Sequence, residues 1–375
     1  MMSGYRFLRM IRGSLLAAIL LVAAVFVLFP FFWMLSTSLK TEGRGMKFEF
    51  LPRRVAEVGP VEIDTAGVRV GEIQFDRTTV DETGVHPALR SAGADEVIFV
   101  AEEAKGKRVS GRLFPKDTEV WAAREALPAG NWKITYTVKR GWKAAFFNLY
   151  TFNNYRRLIR NKSFPFKTYL FNSFLVSVSA AILTVILCAL AAYVFAKKEF
   201  PGKTVLFWSF MAAMMIPGMM YMVPQFAIVT QFGWINTLQG LVVPHLANVF
   251  GLFLLKQFME AIPDSLLEAA EMDGATETTK FLKIITPLSM PSLAILFLLT
   301  FITQWNNFFW QLIVNTPDSP YITLPYGIAL FRGQYETKYE LMMAASSFSI
   351  VPIVILFLFT QRYLIEGLTA GGVKE

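Results

Sequence analysis

Five long stretches without a charged residue constrain this chain more than any other feature: Gly13–Leu39, Tyr169–Ala196, Thr204–Leu255, Ile284–Pro317 and Leu341–Gln361. About 20 consecutive apolar residues in helix span the hydrocarbon of a bilayer, so each stretch is long enough to cross once. Thr204–Leu255 is long enough to cross twice, and the polar turn Gln231-Phe232-Gly233-Trp234-Ile235-Asn236-Thr237 divides it. The sequence therefore predicts an α-helical polytopic membrane protein with six transmembrane helices. A soluble enzyme, a fibrous protein and a disordered tail are excluded.

Charge is concentrated elsewhere. Residues 41–167 hold 22 of the 36 Lys and Arg and 16 of the 28 Asp and Glu. The net charge of +8 comes from scattered basic pairs such as Arg53-Arg54, Lys139-Arg140 and Arg156-Arg157, not from a continuous basic patch, which argues against nucleic acid as a partner. Arg6, Arg9 and Arg12 precede the first stretch and place the N-terminus in the cytoplasm; six spans return the C-terminus to the same side. Gly13–Leu39 exceeds the roughly 7–15 residues of a signal-peptide apolar region. The short loops Lys197–Lys203 and Lys256–Lys283 fall inside. The basic segment 41–167 falls outside, a conflict tolerated because long loops translocate largely regardless of charge.

That outer segment has strand-like patterning. Val61-Glu62-Ile63-Asp64 and Val68-Arg69-Val70 alternate apolar and polar residues. Val97–Val100, Val109–Phe114 and Trp132–Val138 are further strand candidates, separated by turn residues at Thr65-Ala66-Gly67, Ser91-Ala92-Gly93 and Pro128-Ala129-Gly130-Asn131. The expectation is an inserted extracytoplasmic β-rich domain, a sandwich or small barrel. Asn148–Arg160 reads as one amphipathic helix returning to the membrane. Three regions result: residues 1–40 with the first span, 41–165 outside, and 166–375 with five spans.

The most informative loop is Ile262–Gly274. Pro263 ends one helix, and Ser265-x-x-Glu268 reads as a capping box opening another that stops near Gly274. A second helix starts at Thr276, with Pro287 and Pro291 kinking it or marking its membrane entry. Small residues at Ala269, Ala270 and Gly274 let a partner surface approach the backbone closely, and Glu268 offers it a carboxylate. The same residues also fit a turn packed only on the chain's own spans.

Glu268-Ala269-Ala270-x-x-x-Gly274, followed after nine residues by Ile284-x-Thr286-Pro287, resembles the EAA loop of bacterial ABC importer permeases. Around it, Asn154-Tyr155, Asn172-Ser173, Ala191-Ala192-Tyr193, Ile216-Pro217, Pro224, Trp305-Asn306, Thr323-Leu324-Pro325 and the ending from Gln361 to Lys374 are similar to the MalG-type carbohydrate permease. The resemblance covers about residues 10–52 and 151–375. Thr286 stands where the family has Leu, and Asn307 where it usually has an acidic residue; residues 53–150 have no counterpart in most relatives.

The resemblance implies a multi-pass subunit of the bacterial inner membrane that carries a sugar or oligosaccharide and does no chemistry on it. It implies as partners a MalF-like second permease, two copies of a MalK-like ATPase and an extracytoplasmic solute-binding protein, with alternating access as the mechanism. ATPase coupling then falls to Glu268, Ala269, Ala270, Asp273, Gly274, Ile284 and Pro287 in the loop 262–291. In the cytoplasmic tail 362–375, Thr369, Ala370, Gly371 and Gly372 would reach the ATPase as an extended segment.

Polar residues inside spans are costly in hydrocarbon and turn towards a bundle interior or a path. Gln225, Asn248, Gln304, Trp305, Asn306 and Asn307 are the candidates for a translocation path, against the plainer role of bonding helix to helix. His245 beside Pro244 fits bonding of backbone freed by the proline. Met211, Met214, Met215, Met219, Met220 and Met222 around Pro217 suit either a repacking gate or ordinary gap filling. Gly202-Lys203-Thr204 lacks the glycine that a phosphate-binding loop needs five positions earlier, where Lys197 stands, so ATP hydrolysis is expected in another chain and the subunit is no enzyme. Two His and a single Cys188, far apart, offer neither a metal centre nor a disulfide, and no cofactor is expected. A sensor is disfavoured by the short cytoplasmic loops, and a secondary transporter by the lack of an intramembrane charge.

Overall fold

The computed structural model describes residues 2–41, 50–51, 55–64, 94–103, 108–115, 121–123, 131–140, 142–161, 164–334 and 339–370. The expected strand Val68–Val70, the turns at 65–67 and 91–93, and Gly371 and Gly372 lie outside them. The chain divides into two compact units, one of residues 1–156 with 337–344 and one of residues 157–336 with 345–375.

The first unit begins with helix α1, Met2–Ser38, whose apolar part Leu15–Ser38 is long enough to span a membrane. Past α1, the chain is pinned by residues more than a hundred positions away. Thr41 donates its N–H to Leu149 O at 2.9 Å, and Asn154 donates from Nδ2 to Ser38 O (2.8 Å) and Lys40 O (2.7 Å). The Ser38 and Tyr155 hydroxyls share a hydrogen bond of 2.6 Å. Lys40 is buried, with its ammonium 4.8 Å from the Trp33 ring centre. The Asn154-Tyr155 pair thus ties the end of α1 to the chain that returns to it.

Five strands follow α1: β1 (Val55–Asp64), β2 (Ala94–Glu103), β3 (Arg108–Pro115), β4 (Trp121–Ala123) and β5 (Asn131–Arg140). They pair antiparallel in the order β1-β5-β2-β3-β4. The register of β1 slips between Val58 and Val61, where Gly59-Pro60 intervenes and the proline has no N–H to give the ladder. The expected fold class is corrected here. A sandwich needs two packed sheets and a barrel needs β1 to pair with β4, whereas the described strands form one open sheet in an otherwise helical chain. Period-2 alternation marks a strand's two faces and not how many sheets it joins. The single return helix expected over Asn148–Arg160 is also corrected, to α2 (Trp142–Leu149) and α3 (Asn153–Arg160), broken where Tyr150 bridges to Lys40.

In the second unit, helix α4 (Phe166–Lys197) forms the spine. The elements after it are α5 (Lys203–Met214), α6 (Gly218–Gln231), α7 (Leu238–Val242) running into a 3₁₀ turn Val243–His245, and α8 (Val249–Glu260). Next come α9 (Ser265–Met272), α10 (Glu277–Lys280), a π turn Phe281–Ile285, α11 (Thr286–Leu288), α12 (Met290–Trp305), α13 (Phe309–Val314), α14 (Leu324–Gln334) and α15 (Tyr339–Ala370). Helix α4 packs against α8 and α12 through a buried row that includes Ala181, Cys188, Ala189 and Ala192. Small side chains allow close approach, which in lipid supplies the packing that a hydrophobic effect cannot. One close point is Gly251, where an added Cβ would stand 2.8 Å from Leu296 Cδ1 and 3.1 Å from Cys188 Sγ.

Among the described residues, α1, α4 and α15 each contain an unbroken stretch long and apolar enough to span a membrane. Three bent pairs are apolar and long enough together: α5 with α6 at 102°, α7 and its 3₁₀ turn with α8 at 48°, and the Glu277–Leu288 segment with α12 at 76°. Six crossings, the number expected, are reached if each bent pair counts as one. Each break has a local cause. Pro217 adopts an extended backbone (φ −57°, ψ 132°), Pro244 precedes a new start capped by Asn248, and Pro287 and Pro291 flank the break at Ser289.

Candidate functional site

The loop from Ile262 to Pro291 is built on the second unit's core. Leu267 of α9 and Ile285 of the π turn are buried with Ala189, Ala192, Tyr193 and Phe195 of α4, and with Leu252, Leu255 and Met259 of α8. Burying one such leucine stabilises the attachment by about 1.5–3 kcal/mol. Ile284 packs against the same cluster, while Pro287 is exposed at the start of α11. Pro287 has no N–H to donate, and the preceding turn widens to the π form.

Three lysines fix the loop's polar edges. Lys197, at the end of α4, donates to Ile262 O (2.5 Å) and to Asp264 Oδ1 (2.7 Å). Lys198 and the Tyr193 hydroxyl both meet Glu277 Oε2, at 2.7 and 2.8 Å. Lys280 is almost wholly buried and bridges Glu277 Oε1 at 2.7 Å and Glu271 Oε2 at 3.0 Å, joining α10 to α9. Hydrogen bonds from Lys198, Lys280 and Tyr193 hold the Glu277 carboxyl far below its ordinary value, at about 2. Glu277 first and Glu271 second push Lys280 up to about 12. These charged groups precede the apolar stretch of α12.

The expected capping box is corrected. Asp264, not Ser265, occupies the cap of α9, and it makes no side-chain cap bond there because Lys197 holds its carboxylate. The far end of α9 closes as the residues foretell. Gly274 has φ +77°, its N–H donates to Glu271 O, and the Ala275 N–H donates to Ala270 O, both at 2.9 Å. This paired closure needs a left-handed residue, which glycine adopts without a Cβ penalty.

With one side of the loop anchored, the other is open. Glu268, Ala269, Asp273 and Gly274 are exposed and Ala270 is half-buried. Beside them Met272 is 89% exposed and Leu266 44%. A Cβ on Gly274 would meet nothing within 4 Å. Lys197, Lys198, Glu271 and Lys280 are structural supports of the loop that sequence reasoning missed. Only Glu277 and Lys280, three apart on one helix face, gave a local signal for their pairing.

The six path candidates divide. Asn307 gathers with Gln304: its Nδ2 lies 3.2 Å from both Gln304 Oε1 and His245 Nε2, and its Oδ1 accepts from the Trp310 N–H at 3.3 Å. Gln225 donates to Pro244 O at 2.8 Å, and Asn248 caps α8 by accepting from the Gly251 N–H at 2.7 Å. Asn306, exposed at the end of α12, bonds back to Ile302 O. Trp305 is 1% exposed, stacks on Phe301 and donates Nε1–H to Ser349 O at 2.9 Å, the contacts of a packed wall. In the tail, Thr369 and Ala370 continue α15, which corrects the extended segment expected from them.

Residues 185–369 match the family of binding-protein-dependent transport system inner membrane components. The arabinooligosaccharides transport permease AraQ of Halalkalibacterium halodurans is 36% identical over 207 residues, covering 55% of this chain and 74% of that protein. The trehalose/maltose transport permease MalG of Thermococcus litoralis is 36% identical over 227 residues, with 60% and 81% covered. A bacterial ABC transporter for import of the acidic polysaccharide alginate superposes with a TM-score of 0.51 at 25% identity, covering 57% of this chain and 80% of that one. The helical fold, the broken apolar spans and these relatives agree: the chain is a transport subunit, not an enzyme, and belongs to the binding-protein-dependent inner-membrane transport components.

Proposed function

We propose that this subunit carries a carbohydrate across the membrane as one of two permeases in an ATP-binding-cassette importer. The sugar or oligosaccharide is delivered by a solute-binding protein, the second permease is MalF-like, and two MalK-like ATPases drive the cycle. The single observation that carries this reading is the coupling loop. Its inner side is locked by Leu267, Ile285 and three lysines, while Glu268, Met272 and Gly274 are left open to a partner. A loop held this rigidly passes a partner's movement into α4 and α12. Coupling also requires each partner to bind one state better than the other. Both termini lie in the cytoplasm on this reading, and Gln304 with Asn307 forms the polar lining at the bend, where Asn307 supplies an amide without charge.

The test is co-expression with the partner permease, ATPase and binding protein, purification of the assembly, and measurement of ATP turnover with and without sugar-loaded binding protein. Stimulation by loaded binding protein is expected for one class of oligosaccharide. An assembly that retains no ATPase, or turns over ATP indifferently to the binding protein, rejects the proposal.

A further inference from the structure

Where α12 gives way to α13, the side chains of Gln304 and Asn307 meet His245 in a hydrogen-bond relay whose direction is set by the backbone. The Trp310 N–H donates to Asn307 Oδ1 at 3.3 Å, which fixes that amide and leaves Nδ2 facing Gln304 Oε1 and His245 Nε2, each 3.2 Å away. An amide nitrogen has two hydrogens to give and accepts none, so one goes to each neighbour. His245 Nε2 is then the bare, accepting nitrogen, and the imidazole is neutral with its hydrogen on Nδ1. The Trp310 ring meets His245 edge to face at 5.5 Å and is itself anchored by Nε1–H to Gly240 O at 2.9 Å, so packing holds the imidazole as well.

These bonds leave two donors over. Among the described residues, neither Gln304 Nε2 nor His245 Nδ1 has a hydrogen-bond partner. Gln304 is only 7% exposed, and an unpartnered amide on a residue so buried is costly unless water or a ligand accepts from it. His245 and Asn307 are half-buried, while Asn306 and Phe309 are exposed on either side of Asn307, so this end of α12 borders an open surface. The surroundings select the kind of acceptor. Thr204–Leu255, which holds His245, and Ile284–Pro317, which holds Gln304 and Asn307, contain no charged residue. A carboxylate or phosphate here would lose its water and meet only neutral donors, too little to offset the desolvation of an anion. A hydroxyl, ring or glycosidic oxygen loses less and gains the same bonds. The exposed Phe309 ring adds an apolar face for the C–H groups of a sugar.

We propose that Gln304 and His245, oriented by Asn307, donate to the oxygens of an uncharged sugar, and that this subsite turns away acidic sugars. The subsite rests on the transport reading above and adds to it the substrate class, a neutral carbohydrate. Asn307 is the positioning residue: its hydrogens hold Gln304 Oε1 and His245 Nε2, which aims the remaining donors of both side chains away from the relay.

The chain has two histidines, His86 and His245, so isotope-labelled histidine in the full chain in nanodiscs gives a simple nitrogen NMR spectrum that His86→Gln assigns. Without sugar, His245 is expected as the neutral Nδ1–H tautomer. Maltotriose should shift its Nδ1 resonance, and trigalacturonate should not. Gln304→Ala should keep the tautomer, because Asn307 still donates to Nε2, but need several-fold more maltotriose for the same shift. Asn307→Asp, whose carboxylate only accepts, should place a hydrogen on Nε2. An Nε2–H imidazole in wild type, no response to maltotriose, or an equal response to trigalacturonate overturns the proposal even if the variants fail to fold. So does an unchanged titration in Gln304→Ala. The ATP-turnover experiment tests the transport reading separately: stimulation by loaded binding protein without a His245 response refutes the subsite alone, and a response without stimulation refutes the transport reading alone.

Discussion

At the scale of single residues, Gly274 separates two demands that sequence alone leaves fused. Its φ of +77° asks for glycine on backbone grounds, yet a side chain there has open space in this subunit. Gly274→Asn, which tolerates the left-handed region, should therefore cost under about 1 kcal/mol of stability, and Gly274→Ala about 1–2 kcal/mol. Gly274→Phe should fold little worse than Gly274→Ala while abolishing sugar uptake, because its bulk meets only the docked partner. Thermal melting in detergent beside uptake in cells checks this. Full uptake by a folded Phe variant would remove Gly274 from the docking surface. Met272 makes the same argument with the opposite change. Truncating a side chain 89% exposed to solvent should leave stability within about 0.5 kcal/mol. Met272→Ala should nonetheless lower sugar-stimulated ATP turnover by a few-fold, and unchanged turnover would make the exposed methionine incidental.

The elements most specific to this site are α9 and α10, too short to hold themselves and so dependent on charges around them. Glu277 supplies the pH sensitivity. Its carboxyl falls from an ordinary 4.5 to about 2 in the folded protein, so its stabilising contribution is full above about pH 4.5 and is lost as pH falls through about 2. Protection of the α10 amides, taken relative to their intrinsic exchange rate at each pH, should fall over that window, and Glu277→Gln should flatten the profile while leaving α12 protected. A wild-type profile in the variant would show that Lys280 and Glu271 suffice without Glu277.

For the whole molecule, the end of α15 tests how the subunit meets its ATPases. The helix continues through Ala370, which places Thr369 and Ala370 in regular structure that a partner can read. Ending the chain after Leu368 should change basal ATP turnover or ATPase retention in the assembled importer by several-fold, with the order of preference among sugars kept. Normal assembly and turnover would exclude the tail from coupling. This concerns the assembly and not the subunit's fold, since truncation at a helix terminus removes few contacts.

The apolar stretches by themselves determined that this chain lives in a membrane as helices, because backbone groups in hydrocarbon must be satisfied within their own segment. The sequence from Glu268 to Pro287 also determined where α9 ends and where the helix before α12 is disturbed, since prolines and the left-handed Gly274 act within one or two turns. Only the tertiary structure decided which prolines break a span: Pro217 forces a 102° bend, whereas Pro30, Pro224 and Pro352 sit inside continuous helices. It alone decided that the strands make one open sheet, because alternation fixes a strand's faces and leaves its neighbours to long-range pairing. The lysine clamp was equally illegible. Lys197 meets Asp264 across 67 positions, and Lys280 reaches back nine residues to Glu271, distances at which no local rule links two charges. Those pairings exist because α4, α8 and α12 pack into one core, and packing is a property of the folded set.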